Sequence, residues 1–479
     1  MKSRTVVVSA LAVLLLSACI AVPDVPQQVA QSRASQLGLA TQSAAIGERW
    51  WASFDDPQLG RLIDEGMKSN PNLAAALARV RAADATLSAQ RAAELPQVSA
   101  DGQVLDQRFS DAYLIPPPYA GTTRWVPTVQ SSLDWDLDLF GRQTAIVAMA
   151  RSDAEAAGLD AAEARLIIST SIAQTYIGLA RTQQLIRVTH SFVKTREDAL
   201  ALTRSKARYS LASEFDERTA ETLLAQAHQA ELRATEQRDL LTHALAALVG
   251  RGADFYPTLS APTLALDKQP RVPDMLPADL LGRRPDLLAG QARIDAAVSG
   301  EKVARTDFLP NVDLRALAGL ASIGFGNFFG AGAATYGGGV AIHVPIFEGG
   351  RLRAQYRHAS ADLDIAVANY NDSVLRAVRE SADALTKVRS NDADLAEQDR
   401  IVAGLRDTVR LDAVRTSTGL GSKLDAIDSG FRLLEAEQER VNLQAEGVSR
   451  RVQLIAALGG GFSLTQRPRR LPRRVNHND

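Results

Sequence analysis

The chain is poor in the residues from which metal centres and most active sites are built. Cys19 is the only cysteine among 479 residues, which excludes an internal disulfide and any site needing two thiolates. The six histidines show no ligand spacing, and no HExxH, CxxC, GxSxG or P-loop pattern occurs. No cofactor, metal or catalytic residue is therefore expected. Gly337-Gly338-Gly339 reads as part of a hairpin turn with no helix after it, so it is not a phosphate cradle. Neither sign of charge is in excess: 54 basic residues stand against 55 acidic, which gives nucleic acid no footing. Beyond the first 16 residues nothing approaches 18 consecutive apolar side chains, so no transmembrane helix is expected. Proline is absent between Pro127 and Pro257 and again between Pro345 and Pro468, leaving both stretches free to form long helices.

What is present begins at the N-terminus. Lys2 and Arg4 precede an apolar run from Thr5 to Leu16, and Leu16-Ser17-Ala18-Cys19 follows. A run of about 12 residues is too short to span a bilayer as a helix but suits a secretory signal. Leu-Ser-Ala-Cys resembles the lipobox of bacterial lipoproteins, which implies a covalent lipid on Cys19. The alternative is an ordinary secretory signal that ends near a cysteine, but that would leave a lone thiol in an oxidising compartment. Ile20 follows instead of aspartate, which favours the outer membrane as destination. Losing Lys2 and Arg4 leaves 52 basic against 55 acidic residues, a net charge of about −3.

The chain repeats itself. Leu73, Arg79, Ala83 and Pro96 match Leu287, Arg293, Ala297 and Pro310 at an offset of 214. Leu139-Phe140-Gly141-Arg142 corresponds to Ile346-Phe347-Glu348-Gly349-Gly350-Arg351, and Ala246-Ala247-Leu248 matches Ala456-Ala457-Leu458 at an offset of 210. Conserved order with a slowly drifting offset means two copies of one architecture.

Within each copy the hydrophobic period switches. A helical stretch rich in Ala, Arg and Glu ends at Leu95-Pro96 or Leu309-Pro310, where proline disfavours helix in the residue before it. Alternation follows. Leu133, Trp135, Leu137 and Leu139 interleave with Ser132, Asp134, Asp136 and Asp138, and Val340, Ile342, Val344 and Ile346 repeat the pattern. These are two-faced strands, with outbound partners expected from near Val98 and Val312. Pro116-Pro117-Pro118 and the stretch from Gly324 to Gly339 are the expected turns.

Each hairpin is followed by a long helical region. Val367, Tyr370, Val374, Val378, Ala382, Leu385 and Val388 recur at coiled-coil spacing. The runs break only at Ser210-Leu211-Ala212-Ser213 and at Thr418-Gly419-Leu420-Gly421-Ser422. A helix from Arg142 to Arg208 would be about 100 Å long, a strut and not a globular element. The partition expected is a signal at 1–18, an anchored segment at 19–70, a first repeat at 71–260 with its hairpin at 97–140, and a linker at 261–284. The second repeat follows at 285–462 with its hairpin at 311–347, and a basic tail at 463–479.

Four strands cannot close a membrane barrel, whose smallest members have about eight. An open sheet in lipid would strand its edge N–H and C=O groups. If the strands lie in the membrane, several chains must share one barrel, and the narrow apolar stripes of the helices ask for neighbours too.

These features together resemble the outer-membrane efflux (TolC-like) family, and within it the NodT-like lipoprotein branch. The residues that carry the resemblance are the double repeat, the two strand exits quoted above, Leu280-Leu281-Gly282-Arg283-Arg284-Pro285-Asp286-Leu287, and Arg49-Trp50-Trp51-Ala52-Ser53-Phe54. It implies a mixed α/β membrane protein. Long coiled-coil helices would form a periplasmic α-barrel, and four strands per chain would contribute to a shared, trimeric, twelve-stranded β-barrel. The implied role is a passive outer-membrane duct in a tripartite efflux system. Its partners would be a periplasmic adaptor and an inner-membrane transporter of the resistance-nodulation-division type. A protein-secretion duct and a non-conducting envelope spacer are the alternatives, and the alternating strands speak against the spacer.

The resemblance also implies roles for particular residues. Asp425 and Asp428, on one face at the start of a helix, correspond to an aspartate pair at the closed periplasmic mouth. By themselves they could equally be helix-dipole residues. Ser210, Leu211, Ala212 and Ser213, with Gly419, Leu420, Gly421 and Ser422, correspond to the tips that meet the adaptor. Ser210 stands where glycine is usual, and Thr416 and Gly421 stand where some relatives carry a tyrosine and an arginine. Arg283-Arg284-Pro285-Asp286 reads as a helix start with proline first. Trp50, Trp51 and Phe54 read as packing residues, and Arg467 to Arg474 as a solvated basic run.

Overall fold

In a computed structural model of the chain the described residues are 22–23, 25–32, 46–112, 114–270, 272 and 280–462. The signal, Cys19 and the basic tail lie outside them. Two helices, α1 (Pro57–Ser69) and α2 (Pro71–Ala92), lead into strands β1 (Gln97–Arg108) and β2 (Thr123–Asp136). Then come α3 (Arg142–Arg208) and α4 (Glu214–Val249). The second copy runs α5 (Pro285–Thr306), β3 (Asn311–Ala321), β4 (Ala334–His343), α6 (Arg351–Ser417) and α7 (Lys423–Ala457). The repeat keeps two helix lengths to the residue: α2 and α5 each have 22 residues, and α3 and α6 each have 67. No described helix is long and apolar enough to cross a membrane.

The chain divides into two compact units. The first comprises Met1–Gln31, Val80–Ala157 and Gly290–Tyr370, and the second Ser32–Arg79, Gly158–Ala289 and Asn371–Asp479. The first holds one antiparallel sheet in the order β1-β2-β3-β4. Its strands stop short of the expected ends. Alternation continues to Phe140, but Leu137 N–H makes a last bond to Val312 O, and Asp138 then turns into the left-handed region at φ 47°. β4 likewise ends at His343, ahead of Pro345, which has no N–H to give a ladder.

Gly337-Gly338-Gly339 is not part of the turn but part of β4, paired with Leu317, Ala316 and Arg315 of β3. The turn is confined to residues 322–333. Glycine is a weak strand former, yet a register pinned by ten consecutive partners carries it along.

The second unit holds the main core. Leu59 and Ile63 of α1, Ile172 and Tyr176 of α3, Leu245 and Val249 of α4, and Val448 and Val452 of α7 meet there, with Trp50 and Leu266. Trp50 is buried among residues of its own chain, edge-on to Trp51 and Phe54. Asp56 caps α1 by accepting from Gln58 N–H and Leu59 N–H, and it accepts from the Tyr176 hydroxyl at 2.9 Å.

The two copies share a joint where the long-helix pair returns to the start of the shorter helix. Asn70, ahead of Pro71, donates through Nδ2 to Leu248 O at 2.7 Å. Arg284, ahead of Pro285, donates to Ala457 O at 3.1 Å. Gly250 and Gly459 follow at φ 79° and 93°, and a Cβ on either would lie within 2.4 Å of Ser69 O or Arg283 O. Two different side chains thus satisfy equivalent last-turn carbonyls, and glycine lets the backbones touch.

Candidate functional site

Three separate features carry the functional residues: the sheet and the N-terminal strap in the first unit, and the two helix tips in the second. In the sheet, cross-strand partners in an antiparallel ladder point to the same side. The observed register therefore assigns every strand residue a face. One face is mostly apolar, carrying Val98, Val104, Trp125, Val129, Leu133, Leu314, Leu320, Tyr336, Val340 and Ile342, with Asp106 and Ser131 among its polar exceptions, while Leu105, Val126 and Leu317 fall on the opposite side. The other carries Gln97, Ser99, Asp101, Gln103, Gln130, Ser132, Asp134, Asp136, Asp313 and Arg315, with Arg315 near Asp134 at 3.5 Å and Asp313 at 3.4 Å. The apolar face is open: Val98, Trp125, Val129, Tyr336, Val340 and Ile342 are all exposed. Among the described residues β1 and β4 are free edges.

The strands hand over to helices through Asp138. Its carboxylate accepts from Gln143 N–H at 2.8 Å, Thr144 N–H at 2.9 Å and the Thr144 hydroxyl at 2.6 Å, closing the N-terminus of α3. Partial burial works to raise its pKa, but the Thr144 and Gln143 bonds outweigh this and hold the carboxyl below its usual range.

The two tips are built alike. At the first, Leu211 N–H donates to Lys206 O at 2.9 Å and Ser210 N–H to Ala207 O. At the second, Leu420 N–H donates to Arg415 O at 2.8 Å and Gly419 N–H to Thr416 O. Both are Schellman closures with the residue before leucine left-handed, Ser210 at φ 54° and Gly419 at φ 77°. Each next helix opens on a reciprocal capping box, Ser213 with Asp216 and Ser422 with Asp425. Leu211 and Leu420, at 75% and 76% exposure, project from the tips into the open. Thr416 Oγ1 donates across the turn to Ser422 O at 3.3 Å.

Asp425 and Asp428 lie in the first two turns of α7. Asp425 is the acid of the capping box, accepting from Ser422 N–H at 3.2 Å. Asp428 is exposed and paired with Arg432 at 2.8 Å. Three residues on, Phe431 stacks on the Phe192 ring and meets the Arg196 guanidinium 3.5 Å from its ring centroid. Burial lowers the Arg196 pKa, opposed by Glu435 and Asp428. The boxes were legible as two Ser-x-x-Asp patterns after helix breaks. The cation–π contact was not, because nothing local pairs α3 with α7.

The strap is formed by residues 22–23 and 25–32. Val22 and Val25 pack on Ala304, Phe308, Leu352 and Tyr356. Asp364 Oδ1 accepts from Gln28 N–H and Val29 N–H, each at 3.1 Å. Among the described residues no group of His, Cys, Asp and Glu is arranged to hold a metal.

Comparison with known proteins gives these parts a context. The family model described as outer membrane efflux protein matches residues 62–251 and 276–460. A fusaric acid resistance protein, FusA of Burkholderia cepacia, is 31% identical over 95% of this chain and 88% of its own. A solvent efflux pump outer membrane protein, SrpC of Pseudomonas putida, is 30% identical over 95% of this chain and 98% of its own. Among solved structures, the outer membrane protein VceC of Vibrio cholerae superposes with a TM-score of 0.80 at 30% identity, covering 87% of this chain and all of that one.

Proposed function

The chain belongs to the outer membrane efflux protein family, and from that premise we propose that it is the passive exit duct of a tripartite efflux pump. Three copies would close one barrel of twelve strands. A periplasmic adaptor and an inner-membrane transporter would complete the path. The observation that carries this reading is the sheet: one face mostly apolar and exposed, the other mostly polar, both edges unpaired among the described residues. Such a sheet is stable in lipid only when neighbours pair its edges.

The strap supports a lipid on Cys19. Val22, three residues on, already packs against Phe308 and Leu352, which flank the ends of β3 and β4 in sequence. A lipid on Cys19 would therefore enter the bilayer beside the strands. The exposed Leu211 and Leu420, on rigid Schellman turns, suit the tips of residues 210–213 and 419–422 for apolar docking by the adaptor. Asp425 and Asp428 serve as the gate. Within one chain both acids already have partners, Ser422 and Arg432, so the gating force arises when three pairs face one axis and repel.

Purified protein in planar bilayers tests the reading. Asp425→Ala combined with Asp428→Ala should raise conductance severalfold over the parent channel. A folded trimer that never conducts, with or without these substitutions, would sink the duct. Conduction that the double substitution leaves unchanged would sink the gate alone.

A further inference from the structure

Three consecutive glycines in the middle of β4 need a reason. Glycine weakens a strand interior, and there it marks a place where a ligand or another backbone comes close. Gly337, Gly338 and Gly339 lie in regular strand, and none of them is left-handed. Among the described residues a Cβ on Gly337 or Gly339 would meet nothing within 4 Å, and one on Gly338 would make only ordinary contacts, with Arg315 and Ala316. Neither backbone geometry nor packing within the chain therefore requires them. Their place on a free edge of the sheet points to a neighbour.

The other free edge, β1, runs opposite to β4, and all 12 of its residues are exposed. Only two alignments pair every residue of β4 with β1 of a second copy and keep each face of the sheet continuous: Ala334 opposite Asp106, or Ala334 opposite Arg108. Repeated at three seams of a twelve-stranded barrel, they would tilt the strands by about 35° and about 47°, at either end of the usual range. Side-chain size decides between them. The first alignment sets Gly338 against Gly102 and leaves a hole in the apolar face. The second sets the three glycines against Gln103, Val104 and Leu105, and Gly102 against Val340, with bulk facing glycine each time.

We propose that β4 of one copy pairs with β1 of the next in this second register, Gly337 with Leu105, Gly338 with Val104 and Gly339 with Gln103. The glycines make a slot that the bulk of the neighbouring strand fills. The register also sets the stagger of the strands, and with it their tilt and the bore of the barrel. It rests on the duct reading, since only a shared barrel has such a seam.

Cysteine pairs in the full-length protein test this. Residues directly opposite each other come within disulfide reach, whereas a pair displaced by two residues does not. Gly339→Cys with Gln103→Cys should therefore oxidise to covalent trimer in outer membranes several-fold more than Gly339→Cys with Asp101→Cys. Within one chain β2 and β3 separate the two positions, so such a link joins copies. Exchanging sizes gives a second measurement. Gly337→Leu should lower the yield of trimer about five-fold, and Leu105→Gly in the same chain should restore it. A stronger link from the Asp101 pair, absence of rescue, or a conducting channel in which neither pair links would each overturn the register and leave the duct standing. A protein that neither links nor conducts would overturn both.

Discussion

Ser210 and Gly419 hold the same backbone state at the two tips, but only one is glycine. A left-handed conformation costs an L-residue about 1–2 kcal/mol, so the first tip carries strain that the second avoids. Ser210→Gly should raise the stability of the purified protein by about 0.5–1 kcal/mol, and Gly419→Val should lower it by about 1–2 kcal/mol. Thermal denaturation of the two variants checks the sign of each. Asp138 is the second residue whose role is local. Losing its cap on α3 should cost about 1 kcal/mol in Asp138→Ala. Because its folded pKa is depressed, that stability is present above the unfolded pKa and is lost as pH falls through the folded one. The gap between parent and variant should therefore hold at neutral pH and close below about pH 4. A gap that stayed constant into acid would show that the cap does not depend on the charge.

At the scale of elements, the strand register makes the sharper claim. Val129 and Gln130 are neighbours in β2 but belong to opposite faces. Arginine on the lipid side of a membrane strand costs about 2–4 kcal/mol at mid-depth, while lumen positions tolerate it. Val129→Arg should therefore cut the yield of assembled oligomer in the outer membrane, and Gln130→Arg should assemble normally. Equal yields would mean the faces are reversed or the sheet is not in lipid. The helices show the same division of labour. Proline-free runs set their lengths, but the joints at Asn70 with Leu248 and Arg284 with Ala457 decide where each pair returns.

For the whole molecule, the proposed gate would be a property of three copies and not of one. In a single chain Arg432 neutralises Asp428 at 2.8 Å. On the proposed gate, removing that cation with Arg432→Ala would leave the carboxylates of the assembled mouth to be balanced from solution. Added divalent cation should then block conductance at lower concentration than in the parent, by several-fold, and in a manner weakened by monovalent salt. Identical block curves for parent and variant would show that Arg432 lies outside the conducting path.

Much of this was readable before any coordinates. The two-fold repeat, the switch from period 3.6 to period 2 and the helix breaks are short-range patterns, and short-range physics alone decides them. The efflux-family resemblance rested on them and was right. Other features depend on segments brought together from far apart. Gly337-Gly338-Gly339 became strand because β3 supplied partners. β2 ended early because Asp138 was drawn to cap α3. Arg284 was placed as a helix start, yet it also donates to a carbonyl 173 residues away. Arg196 found Phe431 only through the packing of α3 on α7. Local propensity is decided by a residue and its near neighbours, whereas a register, a joint or a cation–π contact exists only once the chain has closed on itself.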